Sequence, residues 1–137
     1  MLDRMTEREQ RALMELLIYV AKSDGRVHNI EAEVLRQYAD LVQVDFSELD
    51  GGRTPEELIP EFSSATSRVA ALAELLRMAH VDGEYSDTER SSILDIAALM
   101  GVPMGLLQAL EQWVVDGLRW VWRGEDLLEE AERAVKF

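Results

Sequence analysis

Apolar residues recur along this chain at the spacing of a helix. Leu13, Leu16, Leu17, Val20 and Ala21 fall at i, i+3, i+4, i+7 and i+8 and so share one stripe. The helix they define starts near residue 4 and stops at Asp24-Gly25, where glycine supplies the left-handed cap position. A second helix, over about 30–43, turns Val34, Leu35, Tyr38, Leu41 and Val42 inward, and the polar, glycine-containing stretch 45–53 reads as a loop.

Thr54-Pro55-Glu56-Glu57 is a helix start with three agreeing signals: a capping Thr, a Pro at the first helical position and a Glu that completes a capping box. Pro60 keeps that helix short. The fourth helix carries Val69, Leu72, Ala73, Leu76 and Ala79 on one face and ends at Asp82-Gly83. The fifth opens on the box Ser86-Asp87-Thr88-Glu89, buries Ile93, Ile96, Ala97 and Met100, and closes at Gly101. Pro103 opens a sixth helix through about Arg123, and Glu125 to Lys136 forms a seventh. No segment keeps a period-two alternation, so the fold class is all-α, with about seven helices in a single domain over residues 1–137.

Sliding the chain by 58 residues lays 17–44 on 75–102. Eight of those 28 pairs are identical, and most are apolar positions that any two helical hairpins share. Three are not: Asp24/Asp82, Gly25/Gly83 and Glu31/Glu89. Two such hairpins packed about a pseudo-two-fold axis would bring the two acidic turns together.

Each Asp stands at the negative end of a helix dipole, which disfavours a carboxylate by about 0.3–1 kcal/mol. A compensating cation is one reading, because four carboxylates form an oxygen-rich site suited to Ca²⁺, Mg²⁺ or Mn²⁺. The metal ligands would be Asp24, Glu31, Asp82 and Glu89. The other reading is metal-free: Asp-Gly is a common turn dipeptide, Glu is favoured at a helix start, and Arg26 can pair with Asp82 or Glu84. A true EF-hand is excluded, because its first ligand positions would fall on Val20 and Lys22, and on Met78 and His80.

These residues resemble a family. An alanine-bearing helix followed by Asp-Gly-x-apolar-x-x-x-Glu is similar to the TerB-like tellurite-resistance family. Here the two copies read Ala21-Lys22-Ser23-Asp24-Gly25-Arg26-Val27 with Glu31, and Ala79-His80-Val81-Asp82-Gly83-Glu84-Tyr85 with Glu89. The resemblance implies about seven helices in two similar halves, an acidic cluster for divalent cations, and a role in bacterial stress response rather than catalysis. It also implies that the fold serves as an interaction unit. Arg26 beside Asp24 departs from the pattern and makes the second copy the better half-site.

Composition narrows the rest. The chain has no cysteine, which removes disulfides, thiolate metal sites and cysteine nucleophiles. A net charge of −13 argues against nucleic acid as a partner. No signal peptide or membrane-spanning run is present, so a cytoplasmic address without membrane insertion is expected. His28 and His80 are the only histidines, with no motif converging on either; His80 reads as a solvated helix-terminal residue, and the chain as a non-enzyme.

The sixth helix is apolar on more than one side. Leu106, Leu110, Trp113, Val114 and Trp120 make one side, whereas Val115, Leu118 and Trp122 point away from it. Either it is a central helix, with Leu127, Leu128, Ala131 and Val135 of the seventh folding back to cover it, or its tryptophans form a surface for a protein partner or a homodimer.

Overall fold

The computed structural model describes residues 1–23, 25, 29–44, 52–81, 83 and 85–137, with the backbone alone at 29–31. The proposed loop core, 45–51, lies outside the described residues. Among them the chain is all helical: α1 (Glu7–Ala21), α2 (Asn29–Leu41), α3 (Pro55–Leu58), α4 (Ala65–His80), α5 (Asp87–Met100) and α6 (Met104–Ala134). Short 3-10 turns at Leu2–Arg4 and Ile59–Glu61 flank α1 and extend α3.

Local chemistry sets most of the helix ends. Thr6 caps α1 and forms a reciprocal box with Glu9, which starts the helix a little later than the stripe alone suggests. Thr54 and Glu57 form the expected box on α3, and Pro60 falls in the 3-10 turn that follows. At α5, Ser86 Oγ accepts the Glu89 N–H at 3.1 Å, and its hydroxyl donates to Glu89 Oε1 at 3.0 Å.

The core is built around α1 and α4, which pack on each other, with α2 against α1 and with α5 and α6 against α4. Ten of the fifteen residues of α1 and ten of the sixteen of α4 are buried, against three of the 31 in α6. The central helices are therefore α1 and α4, and α6 is peripheral. Three long-range links fasten this core. Glu9 Oε2 accepts the Ser63 N–H at 3.0 Å, Arg68 Nη1 donates to the Met100 carbonyl at 2.9 Å, and Arg77 Nη2 donates to the Tyr38 hydroxyl at 3.0 Å. Arg53 ties the segment before α3 to the buried Glu15 of α1, and Arg8 and Arg53 share Glu61.

Two expectations are corrected. The sixth and seventh helices are one continuous helix, because Gly124 lies within α6 and a lone glycine costs only about 1 kcal/mol relative to Ala. With no proline there, the periodic pattern carries the helix through. Leu41 is exposed, because Leu35, Tyr38, Ala39 and Val42 form the inward stripe at i, i+3, i+4 and i+7, and Leu41 falls off it.

Candidate functional site

The two turns singled out by the repeat follow α1 and α4. In the first, Ser23 N–H donates to the Val20 carbonyl at 3.1 Å and Gly25 N–H to Lys22 at 2.9 Å. In the second, Val81 N–H donates to Met78 at 3.4 Å and Gly83 N–H to His80 at 3.0 Å. Each donor and acceptor is shifted by 58 residues. Gly25 and Gly83 take φ of +91° and +77°, a backbone region that favours glycine.

The far ends of the hairpins agree as well. Gln43 and Gly101, after α2 and α5, are both left-handed, with φ of 55° and 76°. Gln43 N–H donates to Asp40 at 3.3 Å and Val44 N–H to Ala39 at 3.0 Å; Gly101 donates to Ala98 at 3.1 Å and Val102 to Ala97 at 3.0 Å. These are the two bonds of a Schellman ending, with Val44 and Val102 packed back on the core as its apolar lock.

Of the four candidate metal ligands, Asp24, Asp82 and the Glu31 side chain lie outside the described residues, as do Arg26, His28 and Glu84. Glu89 is described. It is 1 % exposed, in the first turn of α5, held by the reciprocal contacts with Ser86. Among the described residues no group of three His, Asp or Glu side chains is placed to hold a metal.

Around the second turn α4, α5 and α6 converge. His80 stacks on Tyr85 with ring centroids 4.3 Å apart and planes 10° from parallel, and its Nε2 stands 3.9 Å from Glu111 Oε1 of α6. The Arg90 guanidinium lies over the other ring system, 4.8 Å from the Tyr85 centroid. Burial, reinforced by the nearby negative charge of Glu111, pushes the Tyr85 phenol up to about 12. His80 is therefore packed in a stack beside an acid, and the expectation of a solvated helix-end histidine is corrected. Arg90 and Glu111 carried no motif, and only the fold brings them to this place.

The larger feature is α6 itself. Leu107, Leu110 and Val114 dock its first half on the core, but every residue from Arg119 onward is exposed. Thirty-one residues rise about 46 Å, so the second half leaves the body of the protein. Trp120 is 80 % and Leu128 72 % exposed, with Val121, Trp122 and Leu127 also open to solvent. At the root of this free half, a groove of about 480 Å³ opens between α4 and α6, lined by Ala73, Arg77, Trp113, Gly117, Leu118 and Val121. The expected cover by a folded-back helix is absent because the helix does not turn at Gly124. None of the helices among the described residues is long and apolar enough to cross a membrane.

The family model described as Tellurite resistance protein TerB matches residues 1–54. No curated protein and no solved structure matches the chain. The matched region contains α1, the first Asp-Gly turn and α2, and the second copy of the motif lies beyond it. Over residues 1–54 the chain is similar to the TerB family, in keeping with the resemblance carried by its Asp24-Gly25…Glu31 spacing.

Proposed function

We propose that this chain is a non-enzymatic, TerB-like interaction module related to tellurite resistance and bacterial stress response, and that its working surface is the free half of α6. One observation carries the reading: a helix that docks through Leu107, Leu110 and Val114 continues past the core with Trp120, Val121, Leu127 and Leu128 in water. An indole buries roughly 150–250 Å² when covered, and apolar patches of a few hundred Å² mark interaction sites. The repeated turn chemistry need not act for this surface to work.

The second reading is a divalent-cation site, Ca²⁺, Mg²⁺ or Mn²⁺, at Asp24, Glu31, Asp82 and Glu89. The recurrence of the same turn hydrogen bonds with an Asp in each turn favours it. One comparison separates the two. In cells that depend on this chain for survival on tellurite, Trp120→Ser/Leu128→Ser abolishes protection under the interaction reading, while Asp24→Asn/Asp82→Asn retains it. The reverse pattern, together with calorimetric binding of a cation lost in the double Asn variant, would establish the cation site instead.

A further inference from the structure

The residues of α6 fall in rows that run from its docked half into its free half. Val114, Val121 and Leu128 recur every seven residues, as do Trp113, Trp120 and Leu127. Gly117, Gly124 and Ala131 form a third row. Each of these small residues follows a Val or Leu of the first row by three and a Trp or Leu of the second by four, so the small row runs between the two large ones. The result is a shallow channel with a floor of glycine and alanine and walls of tryptophan, leucine and valine. At its root it meets the groove between α4 and α6, through Trp113, Gly117 and Val121. A channel of this shape lets the backbone of a second helix approach closely while its apolar side chains pack on the walls.

Charge selects the occupant. Glu125, Glu129 and Glu132, all exposed, fall at i, i+4 and i+7 and border the Val/Leu wall, because Glu125 and Glu132 each follow a residue of that wall by four. The Trp/Leu wall is bordered by one charge of each sign, Arg123 and Glu130, which follow Trp120 and Leu127 by three. The opposite face also carries both signs, with Arg119, Asp126 and Arg133, so the acidic row is the one single-signed border of the channel. A second copy of the chain would bring its own acidic row to the contact, on a molecule of net charge −13. An anionic membrane surface is disfavoured for the same reason.

We propose, building on the interaction reading of α6, that this channel docks an amphipathic helix of another protein whose apolar stripe is bordered by Lys and Arg. Its apolar side chains fill the channel and the groove at its root, and its basic border lies against Glu125, Glu129 and Glu132.

The test uses two fluorescently labelled helical peptides of about 20 residues with the same Leu/Ala stripe, one bordered by Lys and one by Glu. Anisotropy titration against the full chain is expected to show the Lys-bordered peptide binding at least about tenfold tighter, with the advantage shrinking as salt is raised. Glu125→Lys/Glu129→Lys/Glu132→Lys, a surface change checked by circular dichroism, is expected to invert the preference. Equal binding of both peptides, lost in Trp120→Ser/Leu128→Ser, keeps the interaction surface and overturns the basic partner. Binding of neither peptide overturns both. Self-association of the chain through this face in sedimentation, or adsorption to vesicles containing phosphatidylserine, also overturns the basic partner.

Discussion

Gln43 and Gly101 end two helices in the same way, each left-handed and each donating to the carbonyl three residues back. Only one of them is a glycine. A side chain at positive φ costs about 1–2 kcal/mol, part of which glycine returns as lost chain entropy. Gln43→Gly is therefore expected to stabilise the fold by about 0.5 kcal/mol. Gly101→Ala is expected to cost about 1 kcal/mol through its backbone alone, since an added Cβ meets nothing within 4 Å. Urea denaturation of the two variants checks both signs, and a shift of both in the same direction would contradict the shared ending.

Glu9 contributes to the acid sensitivity of the fold. Burial pushes its carboxyl up, but hydrogen bonds from Ser67, Thr6 and Ser63 together hold it below the usual carboxylate range. A depressed carboxyl stabilises above its unfolded value, near 4.5, and that contribution fades as pH falls through the folded value. Glu9→Gln is expected to lose about 1–2 kcal/mol at neutral pH. The gap between variant and parent should narrow steadily below pH 4.5. A gap that stays constant down to pH 3 would show that the charged form is not what the site favours.

Tyr85 should titrate late. With its phenol at about 12, alkaline absorbance titration is expected to contain one step near that value, and Tyr85→Phe removes it. Glu111→Gln takes away a neighbouring negative charge and is expected to bring the step down, leaving the larger effect of burial in place. An unchanged step in Glu111→Gln would contradict the placement of α6 against the second turn.

The sequence was most legible where structure is decided locally. Thr54 with Pro55 specifies a helix start, and the glycine at 101 and the two Asp-Gly turns each specify an ending, within four or five residues, and the helices start and stop there. Legibility failed where the deciding partner is distant. Glu9 meets Ser63 across 54 residues, and His80 meets Glu111 across an intervening helix, which no spacing rule anticipates. Gly124 misled in the opposite way: it is a weak local breaker inside a strong periodic pattern, and the pattern won. That single outcome decided between the two readings of the sixth helix, because without a turn at Gly124 no seventh helix folds back to cover its tryptophans.

The central claim is that the α6 face is bare in the isolated protein. A variant retaining Trp120 alone, with Trp113→Phe and Trp122→Phe, isolates the emission of that indole, and sedimentation in parallel fixes the state of association. In the monomer, the emission should lie at the red edge typical of water-exposed indole and be freely quenched by acrylamide, as an 80 % exposed side chain requires. Blue-shifted emission shielded from acrylamide in the monomer would mean that the chain covers its own α6, and would contradict the account.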